Sequence, residues 1–249
     1  MKRTLLVVLI LALYGLTATG FWFSLVKTPF LYPTIDSYGW QSVPDANNGG
    51  SNNFQITSSI DRSRNMRGWL AFNISQIPSD VSIINAKLRL RIWYKTTEGM
   101  SERTGDPTGR MYGIYRLTQL WTEYGVSWTN QPNYTEEHHA TSPVPPGQGG
   151  WHGPLLWMEW DLTDMVKDWR SGAKNYGVVV RDVQEDSPIL YSTQFFTQDQ
   201  VPGEGYYPRL LVTYVAPYAL VLLALLFVVD SLFVAVLWKS GRLRLSKRS

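Results

Sequence analysis

The segment from Leu120 to Pro132, LWTEYGVSWTNQP, concentrates side chains that could do chemistry. It holds Trp121 and Trp128, the carboxylate of Glu123 and the amide of Asn130. Such a set is compatible with an active site, with an aromatic platform for a sugar, or with buried framework. We favour the framework interpretation, because a packed Trp whose N–H is satisfied by a nearby carbonyl or carboxylate is the ordinary use of these residues.

Catalysis on a glycosidic bond would require two carboxylates about 5–9.5 Å apart on either side of the bond. Glu123, Glu159 and Asp161 are the candidates near predicted strands. A β-rich domain offers such pairs by chance, and the sequence has no nucleophile elbow, phosphate loop or dinucleotide fingerprint. We therefore predict a protein that binds and does not catalyse, with a polysaccharide-degrading enzyme as the least favoured alternative.

Aromatic rings and arginines outside the inward faces of the predicted strands are the candidate ligand-binding residues. Rings could stack on sugars, and arginine guanidinium groups could pair with uronate carboxylates. The arginines could equally form the solvated face of a strand, so both interpretations stay open. The candidate residues are Trp151, Trp157, Tyr134, Arg89, Arg91 and Trp93.

Two acidic stretches could lend oxygen ligands to a structural Ca²⁺ ion, which wants six to eight of them. They are DANNGG, with Asp45 and Asn47, and DVQED, with Asp182 and Asp186. For the first stretch, a turn built from Asp, Asn and Gly is the simpler explanation. No other cofactor is predicted. The sequons NIS at Asn73 and NYT at Asn133 are glycosylation sites only in a host that glycosylates, and we expect Asn133 to lie in an exposed loop.

Charge and cysteine content exclude several classes of protein. The chain has no Cys, which rules out disulfides and cysteine nucleophiles. Seven of the 23 cations lie at the ends; removing them leaves 16 cations against 20 acidic residues, a net charge of −4 for the body. We therefore expect no nucleic acid partner, and basic tails that suit anionic lipid headgroups. The terminal cations are Lys2, Arg3, Lys239, Arg242, Arg244, Lys247 and Arg248.

Two apolar segments flank the body. Thr4 to Val26 carries no charge, and Ala216 to Trp238 carries only Asp230. Each could form a helix of roughly 34 Å, enough for a hydrocarbon core of about 30 Å. The cations outside both segments predict cytoplasmic termini and an outward-facing body at the plasma membrane. The N-terminal segment could also be a cleaved signal peptide.

The predicted domains are accordingly a signal or anchor over 1–27, an extracytoplasmic domain over 33–215, a transmembrane helix over 216–238 and a basic cytoplasmic tail over 239–249. Within the large domain, AKLRLRIWY (Ala86–Tyr94) and LWMEWDL (Leu156–Leu162) alternate apolar and polar residues, as half-buried antiparallel strands do. Further strands are predicted at NFQITSS, GWLAFNI, RMYGIYRLT, YGVVVRDV, LYSTQFFT and PRLLVTYV.

Many short strands and one short helix, TDMVKDWRSG, indicate an all-β fold, an antiparallel β-sandwich. We expect Thr163 or Asp161 to cap this helix at its start and Gly172 to follow its end. The segments 96–109 and 129–154 are predicted to be long loops, because they are rich in Gly or Pro.

The order of these motifs resembles the DNRLRE domain, also classed as carbohydrate-binding module family 96. The similar segments are RGWLAFNISQIP, SIINAKLRLRIW, YRLTQLWTEYGVSWTNQP, WDLTDMVKDWRSGAKNYGVVVRD and YYPRLLVTY. The resemblance implies a jelly-roll-like β-sandwich of cell-surface proteins, and it places Trp121, Glu123, Trp128 and Asn130 in the shared signature. The chain departs from the family at Thr197–Asp199, where Ser-Arg-Glu is usual, and at Asn73, where Asp is common.

Together these observations predict a membrane-anchored, outward-facing module whose ligand is carbohydrate of an envelope or matrix. The alternative is a structural or adhesive surface protein that contacts other surface proteins and no glycan.

Overall fold

The computed structural model describes residues 11–12, 14–20, 25–60, 63–95, 105–147, 156–199 and 205–239. The chain divides into two compact units. The larger unit comprises Pro29–Ile77 and Asn85–Val212, and the smaller comprises Met1–Thr28, Pro78–Ile84 and Thr213–Ser249.

The described residues form twelve strands and two helices with defined first and last residues. The strands are β1 (Val26–Lys27), β2 (Phe30–Leu31), β3 (Pro33–Trp40), β4 (Asn53–Ser58), β5 (Met66–Phe72), β6 (Ser82–Lys95), β7 (Met111–Arg116), β8 (Ala140–Pro143), β9 (Trp157–Asp161), β10 (Val178–Asp182), β11 (Tyr191–Phe196) and β12 (Arg209–Val215). The helices are α1 (Thr163–Arg170) and α2 (Ala219–Lys239), and residues 14–20 are also helical.

The larger unit is a curled antiparallel sheet folded into two layers. One layer runs β3–β5–β10–β7–β8 and the other contains β4–β11–β6, with β9 on β6 and β12 beside β6. A single bridge, Thr57 to Met66, joins the layers through β4 and β5. The predicted all-β sandwich is thereby confirmed, while its jelly-roll topology stays a prediction.

Side chains from both layers fill the space between them. Phe54 of β4 stacks on Phe195 of β11 at 5.3 Å, and Tyr112 of β7 meets Phe195 edge-on at 6.4 Å. The indole N–H of Trp160, on β9, donates to the Tyr112 carbonyl across the interior (2.8 Å). Gly68 of β5 leaves room for the Phe54 ring, since a Cβ there would lie 2.5 Å from it.

The predicted alternation in β6 and β9 is confirmed. The four inward residues Ala86, Leu88, Leu90 and Ile92 are fully buried, as are Met158 and Trp160 on β9. Burial of each of the larger side chains contributes roughly 1.5–3 kcal/mol to the free energy of folding. This burial fixes which residues of both strands face outward.

The predicted helix is also confirmed, with a different N-cap. Met165, Val166 and Trp169 form its buried face. Leu162 occupies the N-cap position without a side-chain cap, and the backbone N–H of Thr163 donates instead to Asp161 Oδ1 (2.9 Å). Gly172 has φ +106° and follows the helix end, as expected.

Four strands lie where none was predicted: the two-residue strands β1 and β2, and the longer strands β3 and β8. β3 contains Pro33, Asp36 and Gly39, which obscure the alternation of a strand. β8 lies within the segment predicted to be a loop over 129–154, where it pairs with β7.

The smaller unit contains β1, the end of β12 and α2. Val26 pairs with Val215, and the ring of Tyr14 meets the ring of Phe227 edge-on at 5.6 Å. The predicted C-terminal helix is present as α2. Across the described ranges, no helix combines the length and apolarity needed to cross a membrane, and the flanking transmembrane helices stay a prediction from the sequence.

Candidate functional site

The outward face of β6 and β9 brings cations and an indole ring together. In this antiparallel pair, Arg89 lies opposite Glu159 and Arg91 opposite Trp157. Directly opposed residues share one face of a sheet and have Cβ atoms about 4.5–5.5 Å apart. The intervening residues are buried, so these pairs point away from the core.

Arg89 is held by two contacts on this face. Its Nε lies 2.7 Å from Glu159 Oε1, and its guanidinium carbon lies 5.0 Å from the centre of the Trp157 ring. Lys87 Nζ lies 3.5 Å from the second oxygen of Glu159. Glu159 is therefore shared by two cations and neutralises neither alone.

Arg209, the first residue of β12, completes the arrangement. Its guanidinium carbon lies 4.2 Å from the centre of the Trp157 ring and 5.3 Å from that of Phe30. Its Nε is buried without a hydrogen-bond partner, and among the described residues no carboxylate lies within 4.0 Å of it. Burial lowers the pKa of Arg209, and the nearby charge of Arg89 lowers it further. Tyr32 raises this pKa, and Arg91 has the smallest effect, which lowers it.

Arg91 adds charge from beneath the surface. Only 2% of it is exposed, because Tyr206 and Phe196 cover its guanidinium at 3.9 and 5.4 Å. Trp93 stacks on Phe196 with ring centres 5.5 Å apart and an interplanar angle of 17°. Arg91 therefore strengthens the local positive potential, while Arg89 and Arg209 are the groups that a ligand could reach.

We call Arg89, Arg91, Arg209 and Trp157, together with Lys87 and Glu159, the arginine–tryptophan face. Among the described residues, this face contains four cations and Glu159, with Asp161 at the end of β9. Guanidinium groups pair with carboxylate or sulfate in a planar, two-pronged geometry. The arrangement can therefore bind an anionic ligand. The guanidinium groups of Arg89 and Arg209 both contact the Trp157 ring, which holds them in place.

The remaining predicted ligand residues do not all join this face. Tyr134 lies on the other layer, where its hydroxyl accepts a hydrogen bond from Arg181 (3.0 Å) and its ring meets Tyr115 edge-on. Trp151 falls outside the described residues. The structure thus brings together four of the predicted residues, Arg89, Arg91, Trp93 and Trp157. It adds Arg209, which was not predicted because a single arginine at the start of an apolar strand is not part of any recognisable sequence pattern.

In the signature segment Leu120–Pro132, Trp121 and Asn130 are framework residues. Trp121 is 8% exposed; it packs with the core residues Trp69 and Val179, and its N–H donates to the Tyr176 carbonyl (2.9 Å). Asn130 closes the segment on itself, accepting from the Ser127 N–H (2.6 Å) and donating to the Gly125 carbonyl (2.7 Å). These contacts confirm the framework prediction for Trp121 and Asn130.

A cavity of about 350 Å³ lies beside the same segment. It is lined by Gln119, Leu120, Trp121, Thr122, Gly125, Val126, Asn130 and Pro132. Leu120 is 74% exposed at this place. The cavity carries no charged side chain, in contrast to the arginine–tryptophan face.

The candidate catalytic carboxylates are engaged elsewhere. Glu159 is paired with Lys87 and Arg89, and Asp161 accepts the Thr163 N–H. Glu123 Oε1 accepts hydrogen bonds from the backbone N–H of Asp36 and from the Gln198 side chain, both at 3.2 Å.

The residues suggested for calcium make internal hydrogen bonds. Asp45 accepts from Thr129 (2.8 Å), and Asn47 Oδ1 accepts the Gly49 N–H in the expected turn (3.1 Å). Asp182 is paired with Arg110 Nε at 2.7 Å, and Asp186 accepts from Asn65 (2.6 Å). Calcium binding at these residues stays a prediction.

A different acidic group has the spacing of metal ligands. In the part of the chain that the structure describes, Asp36, Glu123 and Asp199 each place a carboxylate oxygen within 4.8 Å of the others. Sequence reasoning missed Asp36 and Asp199, since they are separated along the chain and β3 was not predicted. The local sequence PTIDSYGW gave no signal of a site at Asp36, because the burial of its residues is visible only in the structure.

Both sequons lie at exposed positions. Asn73 follows β5, and its side chain accepts the Ser75 N–H (2.9 Å). Asn133 is exposed in the segment after the signature, as expected. Glycosylation at either position stays a prediction.

Comparison with known proteins gives one family. The model of carbohydrate-binding module family 96 matches residues 27–202. That range includes β6, β9 and the signature segment. No curated protein matches the chain.

Proposed function

Because the chain belongs to carbohydrate-binding module family 96, we propose that it binds an anionic polysaccharide through the arginine–tryptophan face. The observation that carries this proposal is Arg209. It sits beside two further arginines, on an indole ring, with no carboxylate partner among the residues described. A ligand carboxylate or sulfate would supply the missing negative charge.

A polyuronate or a sulfated glycan would bind favourably to this face for two reasons. An anion relieves the repulsion among Arg89, Arg91 and Arg209, and the guanidinium fork provides parallel hydrogen bonds. The body of the chain has a net charge of −4, so binding depends on this local positive potential and not on the overall charge. Neutral polysaccharides lack the group that the face recognises.

The test compares polygalacturonate, a sulfated glycan and a neutral glucan, each titrated into the purified full-length chain in detergent with a chelator present. We expect binding to the two anionic polymers only, with an affinity that falls as salt rises. Arg209→Gln should weaken it at least about tenfold, as the loss of one charge-assisted pair of about 1.5–3 kcal/mol predicts. Arg64→Gln, in the loop before β5, is the matched control and should bind normally.

Equal binding of neutral and anionic polymers, or undiminished binding by Arg209→Gln, would exclude this mode of recognition. If instead Leu120→Ala weakened the binding of a neutral glycan, the cavity at the signature segment would be the ligand site. Self-association of the chain with no glycan binding would support the structural or adhesive alternative. Sugar release that Glu123→Gln abolishes would be needed for an enzyme.

We propose further that the chain is attached to the plasma membrane with the larger unit facing outward. The support is the apolar segment Ala216–Trp238, followed by a basic tail, together with the exposure of apolar side chains along α2. Val221, Leu225, Phe227, Val228, Val229, Leu232, Phe233 and Val236 are each at least 51% exposed. A helix that exposes apolar side chains on several sides is expected to be covered by lipid or by another protein.

Membrane attachment is tested in the expressing cell. We expect the chain to stay with membranes after alkaline carbonate washing, and added protease to cut the larger unit in intact cells. Recovery of the chain in the soluble fraction would refute attachment. Protection of the larger unit until lysis would refute the outward orientation.

A further inference from the structure

The acidic group of the larger unit joins three chain elements that are distant in sequence. Asp36 lies in β3, Glu123 in the signature segment and Asp199 just after β11. Gln198 fastens the group, because its backbone N–H donates to Asp36 Oδ2 (2.9 Å) and its side chain donates to Glu123 Oε1 (3.2 Å). One residue thus holds two of the carboxylates in position.

Asp36 is the unusual member of this group. It is 1% exposed, and its second oxygen, Oδ1, is buried without a hydrogen-bond partner. Buried carboxylate oxygens are normally hydrogen-bonded or bound to a cation. Within the described ranges, no Lys or Arg nitrogen lies within 4.0 Å of any of the three carboxylates.

We propose that Asp36, Glu123 and Asp199 bind one Ca²⁺ ion. Oxygens around Ca²⁺ lie 2.3–2.6 Å from the ion, so two of them on opposite sides are about 5 Å apart. The three carboxylate oxygens lie within 4.8 Å of one another, a spacing that allows all three to bind the same ion. The donors are all carboxylate oxygens, which hard divalent cations prefer, and water would supply the remaining ligands.

The surroundings position Glu123 for this role. Asn47 donates to the backbone carbonyl of Glu123 (2.7 Å), and Gly49 passes so close that a Cβ there would lie 2.6 Å from that carbonyl oxygen. The hydrogen bonds to the Glu123 side chain use Oε1, which leaves Oε2 for an ion. The bound ion would cross-link β3, the signature segment and the end of β11.

Asp36 is buried beside two further carboxylates. Burial is the main cause that raises the pKa of the Asp36 carboxyl to about 7; the Gln198 N–H lowers it, and the charges of Asp199 and Glu123 raise it. A carboxylate in these surroundings gains more from a divalent cation than an exposed one does, since the cation offsets both burial and repulsion.

The experiment measures Ca²⁺ binding to the purified full-length chain in detergent, after removal of metal with a chelator. Titration calorimetry should show one site, and tryptophan fluorescence should show a rise in the unfolding temperature of about 5–10 °C when Ca²⁺ is near 100 times its Kd. Mg²⁺ at the same concentration should raise it less, because it demands a stricter octahedral geometry.

Two variants and a control assign the site. Asp199→Asn changes an exposed residue, and it should weaken Ca²⁺ binding at least about tenfold. Glu123→Gln keeps the acceptor oxygen for Asp36 and should have a similar effect. Asp164→Asn, at an exposed position of α1, should bind Ca²⁺ as the wild type does.

No heat and no shift of the unfolding temperature with Ca²⁺ would overturn the inference. Unchanged Ca²⁺ binding in both variants would overturn it as well, by placing the ion elsewhere. The inference is independent of the polysaccharide proposal, which is tested in chelator with Arg209→Gln. A chain that binds only one of the two ligands therefore identifies which proposal fails.

Discussion

The ion pair between Arg67 and Glu185 offers the sharpest test of how the signature segment is held on the sheet. Arg67 Nε and Nη2 donate to the two oxygens of Glu185 at 2.7 and 2.6 Å, and Nη1 donates to Gln131 (2.8 Å). Its guanidinium carbon also lies 4.6 Å from the centre of the Trp128 ring. The side chains of Arg67 and Glu185 are only 12% and 8% exposed.

Removal of one partner should be much more harmful than removal of both. Burial lowers the pKa of Arg67, but the hydrogen bonds and charge of Glu185 outweigh this effect, so its pKa is raised. Arg67→Met leaves Glu185 buried with Arg181 as its nearest cation, at 3.4 Å. Breaking a buried pair in this way costs about 3–5 kcal/mol, or about 10 °C in Tm for a chain of this size. Arg67→Met with Glu185→Leu should cost less than about 2 kcal/mol, since no buried charge of the pair stays uncompensated.

Urea unfolding of the purified chain, followed by tryptophan fluorescence, measures both variants against the wild type. Lys174→Met, at an exposed position after α1, controls for the loss of a surface cation and should change the unfolding free energy by less than about 0.5 kcal/mol. If the double variant lost as much stability as the single variant, the uncompensated charge would not be the cause. A single-variant loss below about 1 kcal/mol would show that the pair is effectively solvated.

Three further predictions concern the core around the signature segment, and urea unfolding checks each of them. Val179→Ala, at a fully buried position, should lower the unfolding free energy by about 2 kcal/mol, since two buried carbons are lost and a cavity is left; a loss below about 0.5 kcal/mol would contradict the packing. Gly177→Ala should cost more than Gly172→Ala, because both glycines have positive φ but only Gly177 has backbone atoms where the Cβ would lie; equal losses would refute the steric argument. Trp121→Phe should cost about 1–2 kcal/mol through the lost N–H donor to the Tyr176 carbonyl, and an unchanged midpoint would show that this bond adds nothing.

The strands with clear alternation could be predicted from the sequence, whereas β3 could not. Alternation in β6 and β9 reports one buried face, and period-two patterns follow directly from that burial. β3 buries polar residues such as Asp36 and Ser37, because other chain elements cover them. Burial of this kind depends on tertiary neighbours and leaves no periodic signal in the sequence.

The candidate site shows the same limit. The outward positions of Arg89, Arg91 and Trp157 could be predicted strand by strand, but the strand register that pairs them could not. Arg91 has an outward position and is nevertheless buried, since Tyr206 comes from a distant segment to cover it. Arg209 joins the group only because β12 lies beside β6.

The charged groups of the larger unit fall into two kinds that imply different roles. Arg67 and Glu185 satisfy each other, so their charges stabilise the fold without an external partner. Arg209 and Asp36 do not: Asp36 is buried and Arg209 is partly exposed, each has like charges for neighbours, and each has its pKa shifted toward the neutral form. Like-charged groups that lie close together without a counter-charge disfavour folding. A protein retains such groups where they serve a function, here the binding of a ligand that supplies the opposite charge. By this reasoning the arginine–tryptophan face calls for an anion and the acidic group for a cation.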